Sequence, residues 1–366
     1  MRWAATLATI AAAISTAAVA DPRWTSQDLR ALHDVVAMAP GEGLPDYDAA
    51  PIADLVPGEI ADVLADTIGL RLARDFFEGS ERVRADRSWH IDRGSLDYGE
   101  WLHDVLARHS VRASFQSLLP KDARYVGLKR AFAHCTAPTT CVRIAVNLDR
   151  LRAMPRDLGA RYVWVNIAAY RLDLIENGRA VASHRVIVGK PGSQTPSFQA
   201  KVTGVTVNPW WNVPCSIVDE SVGKLIASNP KEAARRGYVA TKGVDGKLVV
   251  RQRPGPDNAL GRIKLEMPNP YDVYIHDTPS KDLFASSRRA FSHGCIRTED
   301  PQGLAVSLLG TEQQAEVDIL LSTGVSRTLR LAQPIPVYIV YLTAEGDETA
   351  TGGVATYLDI YHRDVR

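Results

Sequence analysis

The chain has 366 residues, 45% of them hydrophobic, and carries 43 basic against 42 acidic side chains. That length suits two domains or one large elaborated domain. A net charge of +1 offers no basic excess of the kind that nucleic-acid binders cluster on one face, so partners must be recognised at discrete sites.

The opening residues "MRWAATLATIAAAISTAAVA" combine a basic start at Arg2, an apolar run from Ala4 to Ile14 and the small-residue ending Ala18-Val19-Ala20. This is the pattern of a cleaved secretory signal over residues 1–20, too short in its apolar part for a membrane span of about 20 residues. No later segment reads as transmembrane, because charge or Pro interrupts each long apolar run. A soluble, periplasmic mature protein is expected.

From Ser26 to about Phe132 the pattern is helical. Ile60, Leu64, Ile68, Leu72 and Phe76 recur at steps of four and predict one apolar stripe on a helix ending at Gly79. Trp101, Leu102, Val105 and Leu106 repeat the logic, and Pro120 separates a further helix. A helical domain over 21–141 without chemistry of its own is expected. Cys135 and Cys141 bracket the short loop "TAPTT". In an oxidising compartment four cysteines permit three pairings, of which this local one is preferred. Cys215 and Cys295 are left over, and a free thiol kept in such a space invites a catalytic explanation.

From Arg161 the period becomes two. Asn177-Gly178 lies between two alternating apolar runs, the strongest short-range hairpin signal. Further strand-like runs follow at "AKVTGVTVNP", "KLVVRQR", "GRIKLEM", "DVYIHD" and "IPVYIVYLT". Between them "SIVDESVGKLIASNPKEAARRGY" reads as helix, so a helical lid over 213–260 is expected inside a β-rich domain spanning 142–366. Internal repeats, low-complexity tracts and phosphate-cradling Gly loops are absent from the sequence.

The chemistry concentrates near the end of this domain. His276 closes the strand "DVYIHD", and Cys295 follows 19 positions later in "AFSHGCIRTED". A thiol is a poor nucleophile until deprotonated, and an adjacent imidazole both takes the proton and stabilises the anion. The N–H groups of Gly294 and Cys295 are then candidates to face a developing oxyanion, since Gly permits close backbone approach. Two other readings compete. The Cys could be an inert buried side chain, or His276, His293 and Cys295 could ligate a metal, although no CxxC or HExxH accompanies them.

The run "HDTPSKDLFASSRRAFSHGCIR" resembles the signature of the L,D-transpeptidase (YkuD) family. The resemblance extends through "VIVGKPGSQTPSF", "NPWWNVP" and "RQRPGPDNALGRIKLEMPNPYDVYIHDTP", in the manner of the large YcbB-like branch, whose scaffold region the helical half also resembles. One departure is that this branch usually carries a peptidoglycan-binding module, whereas here only the Cys135 to Cys141 loop intervenes. The fold implied is α+β: a helical scaffold domain, then a β-rich catalytic domain with an inserted lid.

Residue by residue, the resemblance implies Cys295 as nucleophile, His276 as general base and the Asp277 backbone carbonyl as the group orienting the imidazole. Gly294 falls in the oxyanion loop, and His293 shapes the loop or assists proton transfer. Arg297 is placed to hold a substrate carboxylate, with a structural ion pair as the alternative. Ser292, Tyr274 and Trp211, or its neighbour Trp210, are candidates to line the substrate cleft. The implied partners are peptidoglycan stem peptides as donor and acceptor, joined in a 3,3- or 1,3-crosslink through a thioester, without metal or cofactor. The same residues would serve a hydrolase or transferase acting on wall-attached proteins. A non-enzymatic wall-binding scaffold would need neither His276 nor Cys295.

Overall fold

The computed structural model describes residues 23–47, 52, 54–243, 246–347 and 349–364; the expected signal segment lies outside them. The chain divides into two compact units, one formed by residues up to Phe77 together with Ser95–Leu119, the other by Glu78–Gly94 together with Pro120 onward.

The first unit is helical. Helix α1 (Ser26–Met38) opens with a capping box in which the Thr25 hydroxyl accepts from the Asp28 N–H and Asp28 answers the Thr25 N–H. Helix α2 (Glu59–Glu78) carries the predicted stripe, but its inward line differs. Ala61, Ala65 and Gly69 are buried with Leu72 and Phe76, whereas Ile60 is exposed. Trp24, fully buried, lies against Gly69, where an added Cβ would sit 3.7 Å from the indole. A large ring packs closest where the helix surface is smallest, so the small residues turn inward. Helices α3 (Tyr98–Ala107) and α4 (Val111–Leu118) complete the unit, with Phe115 meeting Phe76 edge to face.

The second unit contains helices α5 (Ala123–Ala133) and α6 (Pro138–Arg152), and Cys135 in their connection forms a disulfide with Cys141 in the first turn of α6. Both helices group with the β-rich unit, whereas the sequence assigns the segment up to residue 141 to the helical half. Helical periodicity shows that a face is buried without showing which core buries it. Cys215 and Cys295 are free.

The strands of the main sheet, in chain order, are β1 (Trp89–His90), β2 (Arg161–Asn166), β3 (Arg171–Glu176), β4 (Arg179–Gly189) and β5 (Ser197–Val207). After an insertion holding β6 (Trp211–Asn212), β7 (Tyr238–Lys242) and β8 (Leu248–Gln252) come β9 (Ile263–Glu266), β10 (Ile275–His276), β11 (Ala290–Ser292), β12 (Ile296–Thr298) and β13 (Arg327–Val340). The β3–β4 turn places Asn177 and Gly178 at φ 48° and 78°, the left-handed pair of a type I′ hairpin. The order β5-β13-β2-β3-β4-β12-β10-β9 closes on itself because β9 also pairs β5. Closure leaves no open edge along this ring.

Alternation then decides what faces where. Ile263, Leu265, Ile275 and Ile296 join Val163, Val165, Val337 and Ile339 in the core, sealed by Leu304 and Leu308 of α7 (Pro301–Leu309) and Leu320 of α8 (Gln314–Thr323). Their neighbours Lys264, His276 and Arg297 therefore share the opposite face.

The insertion leaves the sheet after β5 and returns at β9, where Val207 and Ile263 are register partners. It holds more sheet than the helical lid expected, with the strand-like run "KLVVRQR" forming β8 as read from the sequence. Short helical turns from Cys215 to Arg235 lie between β6 and β7 of a sheet of order β6-β8-β7, and Trp211, Val213, Val218, Val222, Val250 and Leu260 form its own core. The alternating runs flanking the helical stretch pair with each other, which converts half of the segment to sheet.

Candidate active site

Strands β10 and β12 run parallel, with Ile275 opposite Ile296 and His276 opposite Arg297. Extending that register by one residue sets Tyr274 across from Cys295, and the Ile296 N–H donates to the Tyr274 carbonyl at 2.8 Å. Adjacent strands lie about 5 Å apart and alternate residues share a face. Cys295, Arg297, Tyr274 and His276 thus stand together on the face turned from the core, and β9 adds Lys264 opposite His276.

His276 is buried, and its Nδ1 lies 2.5 Å from the Asp277 carbonyl. A carbonyl only accepts, so Nδ1 carries the proton and Nε2 keeps a lone pair. Burial and, next, the Arg297 charge pull the imidazole down to about 4; the Asp277 and Leu260 carbonyls and the Asp277 carboxylate oppose them without prevailing. Near neutrality the ring is an uncharged base.

The Asp277 carboxylate locks the same turn. It accepts from the Arg262 and Thr278 N–H groups and pairs with Lys281, each at 2.7 Å. Gly261, at φ 62°, makes room for it, since a Cβ there would sit 2.4 Å from the Asp277 side chain.

Cys295 is half-buried, with its Sγ 3.7 Å from the Asp272 carbonyl. Burial pushes the thiol up, while the Tyr274 backbone and Arg297 favour the thiolate. The resting side chain is a protonated thiol beside a neutral base. Arg297 has no acidic partner among the described residues, and its buried Nε has no hydrogen-bond partner. The structural ion pair considered for it is therefore not formed. Tyr274 is half-buried beneath the Lys264 ammonium, 4.5 Å from its ring.

Other candidates fall elsewhere. Ser292 is buried, and its hydroxyl donates to the Cys295 carbonyl at 2.5 Å and accepts from the Gly294 N–H at 3.1 Å. It braces the loop and is spent internally, which differs from the expected substrate contact. The same bond engages the Gly294 N–H, so of the two expected oxyanion donors only the Cys295 N–H is without a partner among the described residues. His293 meets Glu220 of the insertion at 3.1 Å and Lys190 at 3.2 Å. Trp211 belongs to the insertion's core, while Trp210 is partly exposed under the Arg251 guanidinium, 4.6 Å from its ring; neither is set among the four residues around Cys295. The described residues hold no cluster of three or more metal-ligating side chains. Thr195, Asp272 and Lys264 were not singled out in sequence: each lies in a stretch that carries the resemblance, but nothing local marks its role.

A thiol, a base held by a carbonyl, an unspent amide N–H and an unpaired guanidinium on one sheet face make up the equipment of a cysteine-dependent acyl-transfer enzyme. Residues 160–319 match the L,D-transpeptidase catalytic domain family, YkuD, and residues 17–132 match a scaffold domain family. The chain thus carries a YkuD L,D-transpeptidase catalytic domain behind a scaffold domain. A Haemophilus influenzae protein named "Putative L,D-transpeptidase" is 30% identical over 240 residues, covering 61% of this chain and 48% of that one; the chain spans about half the length of this relative. Among solved structures, the catalytic domain of an Enterococcus faecium L,D-transpeptidase aligns with 50% of this chain and 99% of its own at 13% identity and a TM-score of 0.27. An L,D-transpeptidase from Mycobacterium smegmatis aligns with 50% of this chain and 58% of its own at 11% identity and 0.26. Scores this low add nothing to the fold described above.

The depressed His276 links stability to acidity. Between an unfolded value near 6.5 and a folded value of about 4, the unfolded chain binds the extra proton, so stability is full above the upper value and is lost as pH falls through the window. The shift corresponds to roughly 3 kcal/mol. Urea denaturation at pH 7 and pH 4.5 should show the wild type losing about 2 kcal/mol relative to His276→Gln, because pH 4.5 stops short of the lower value; parallel losses would contradict the assignment.

Proposed function

We propose that this chain is a peptidoglycan L,D-transpeptidase that forms wall crosslinks through a Cys295 thioester. The observation that supports this most is the shared face of β10 and β12, where Cys295 lies one register step from a buried, carbonyl-held, neutral His276. His276 Nε2 takes the thiol proton as sulfur adds to the carbonyl of an L-centre in a donor stem peptide. The carbonyl oxygen gains negative charge and accepts from the Cys295 N–H. Collapse breaks the bond to the following D-residue, whose amine leaves with the proton from His276. An acceptor stem amine then attacks the thioester, gives its proton to His276 and releases the thiol as the crosslink forms. Arg297, without an acidic partner among the described residues, is suited to a stem carboxylate, which would supply its half-buried guanidinium with charge-assisted bonds. Export by the N-terminal signal puts the enzyme where such stems are found, and the described residues contain no helix long and apolar enough to cross a membrane.

The insertion is suited to act as a lid. Excluding water from the thioester favours amine attack over hydrolysis, and the segment is anchored beside the base, its last core residue Leu260 preceding the Gly261–Arg262 turn that holds Asp277.

Three outcomes follow. Cys295→Ala and His276→Ala should each lower crosslinking of a purified tetrapeptide donor by at least about a hundredfold with unchanged circular dichroism; near-native turnover in Cys295→Ala would refute the scheme. Iodoacetamide should alkylate Cys295 at a rate still climbing at about pH 9, as a thiol raised by burial requires, whereas a plateau near pH 6 would mean a resting ion pair. Joining residue 209 to residue 258 by a short Gly-Ser linker should raise the ratio of hydrolysed to crosslinked product in muropeptide mass spectra, which also read whether the link is 3,3 or 1,3; an unchanged ratio in folded protein would remove the lid role.

A further inference from the structure

The peptide unit joining Gly294 to Cys295 has a requirement that its own strand does not meet. Its N–H is a backbone donor beside the thiol that has no partner among the described residues, yet it follows a glycine at φ 117°, a conformation that L-residues avoid and that leaves the unit free to rotate. Because a trans peptide is planar, holding the Gly294 carbonyl fixes the direction of the Cys295 N–H on the opposite side. The Thr195 hydroxyl does hold it, donating to the Gly294 oxygen at 2.8 Å while accepting from the Gly189 N–H at 2.9 Å. Thr195 is itself fixed: it is fully buried, and its N–H donates to the Tyr361 hydroxyl at 3.2 Å, which donates in turn to the Gly189 carbonyl at 2.6 Å. Tyr361 stacks on Tyr341 with ring centroids 5.2 Å apart.

We infer that Thr195 is a positioning residue that aims the Cys295 N–H at the developing oxyanion, with Tyr361 of the C-terminal segment as its anchor. The inference rests on the reading of Cys295 as an acyl-accepting nucleophile. Thr195 touches neither substrate nor thiol. Its hydroxyl stops the 294–295 peptide from turning over, a motion that would swing a carbonyl dipole toward the place where negative charge builds. Thr195→Ser keeps the hydroxyl. Thr195→Val keeps the shape and removes it.

The test compares two reactions of the same sulfur in the full chain carrying Cys215→Ser, which removes the other free thiol. Acylation by 4-nitrophenyl acetate passes through an oxyanion, whereas displacement of iodide from iodoacetamide does not. Both rates are measured for wild type, Thr195→Val, Thr195→Ser and Tyr361→Phe, alongside crosslinking of the tetrapeptide donor. Thr195→Val should slow acylation about ten- to a hundredfold, less than the roughly hundred- to thousandfold of losing a donor outright because the N–H is misaimed and not removed, and leave alkylation within about twofold. Thr195→Ser should recover most of the loss. Tyr361→Phe, which keeps the stacked ring, should show a smaller loss of the same selective kind and decides the matter if Thr195→Val does not fold. Equal slowing of both reactions, no slowing, or no recovery in Thr195→Ser would overturn the inference. A wild type that shows the selective effect but never turns over the stem donor would sink the transpeptidase reading and leave the positioning role standing.

Discussion

The parallel pairing of β10 with β12 is the constraint on which the site depends. Each strand is only two or three residues long, and neither would persist alone, since short isolated strands are marginal in water. They hold because Ile275 and Ile296 are buried side by side in the core of a closed sheet. A slip of one residue would turn both isoleucines outward and send His276, Cys295 and Arg297 into the core. The hydrophobic cost of that exchange fixes the catalytic face as firmly as any bond within the site.

Electrostatics on that face are arranged around an unpaired cation. Arg297 stands opposite His276 in register and lacks an acid to neutralise it. It therefore disfavours an imidazolium and favours a thiolate, lowering the proton affinity of both groups. Burial raises the thiol and lowers the imidazole, which keeps the resting pair uncharged. Charge then appears only when a substrate brings its own compensating group, and a substrate carboxylate would relieve the guanidinium at the same moment. Polar groups left unsatisfied near a reacting thiol are costly to the fold, and that cost is concentrated where a ligand would remove it.

The insertion is tied to this centre in two unequal ways. At its base, Leu260 lies in the insertion's core and Gly261 and Arg262 clasp the Asp277 side chain, a buried and hydrogen-bonded junction. At its other contact, Glu220 meets His293 and Lys190, but all three are about half exposed, where ion pairs contribute little. The insertion thus has its own core and a firm root, with a weakly held contact beside the nucleophile loop.

The sequence alone determined the order of the parts and the family that the β-rich half belongs to. Asn177-Gly178 specified a hairpin because few other pairs tolerate left-handed backbone twice in succession, the alternation from Arg161 specified strands, and the Cys295 and His276 neighbourhood carried a signature dense enough to read without structure. Local patterns of that kind are written in adjacent residues. What only the tertiary structure decided depends on residues far apart in the chain. The inward line of α2 shifted onto Ala61, Ala65 and Gly69 because Trp24 required a flat surface. Trp211 entered a small separate core, since burial of an aromatic depends on partners that its own neighbours do not reveal. Ser292 and the Gly294 N–H turned to each other, and Thr195, 99 positions before Gly294, became the prop for the loop. A hydrogen bond across such a distance leaves no periodicity behind, so the residues that present the chemistry were legible while those that aim it were not.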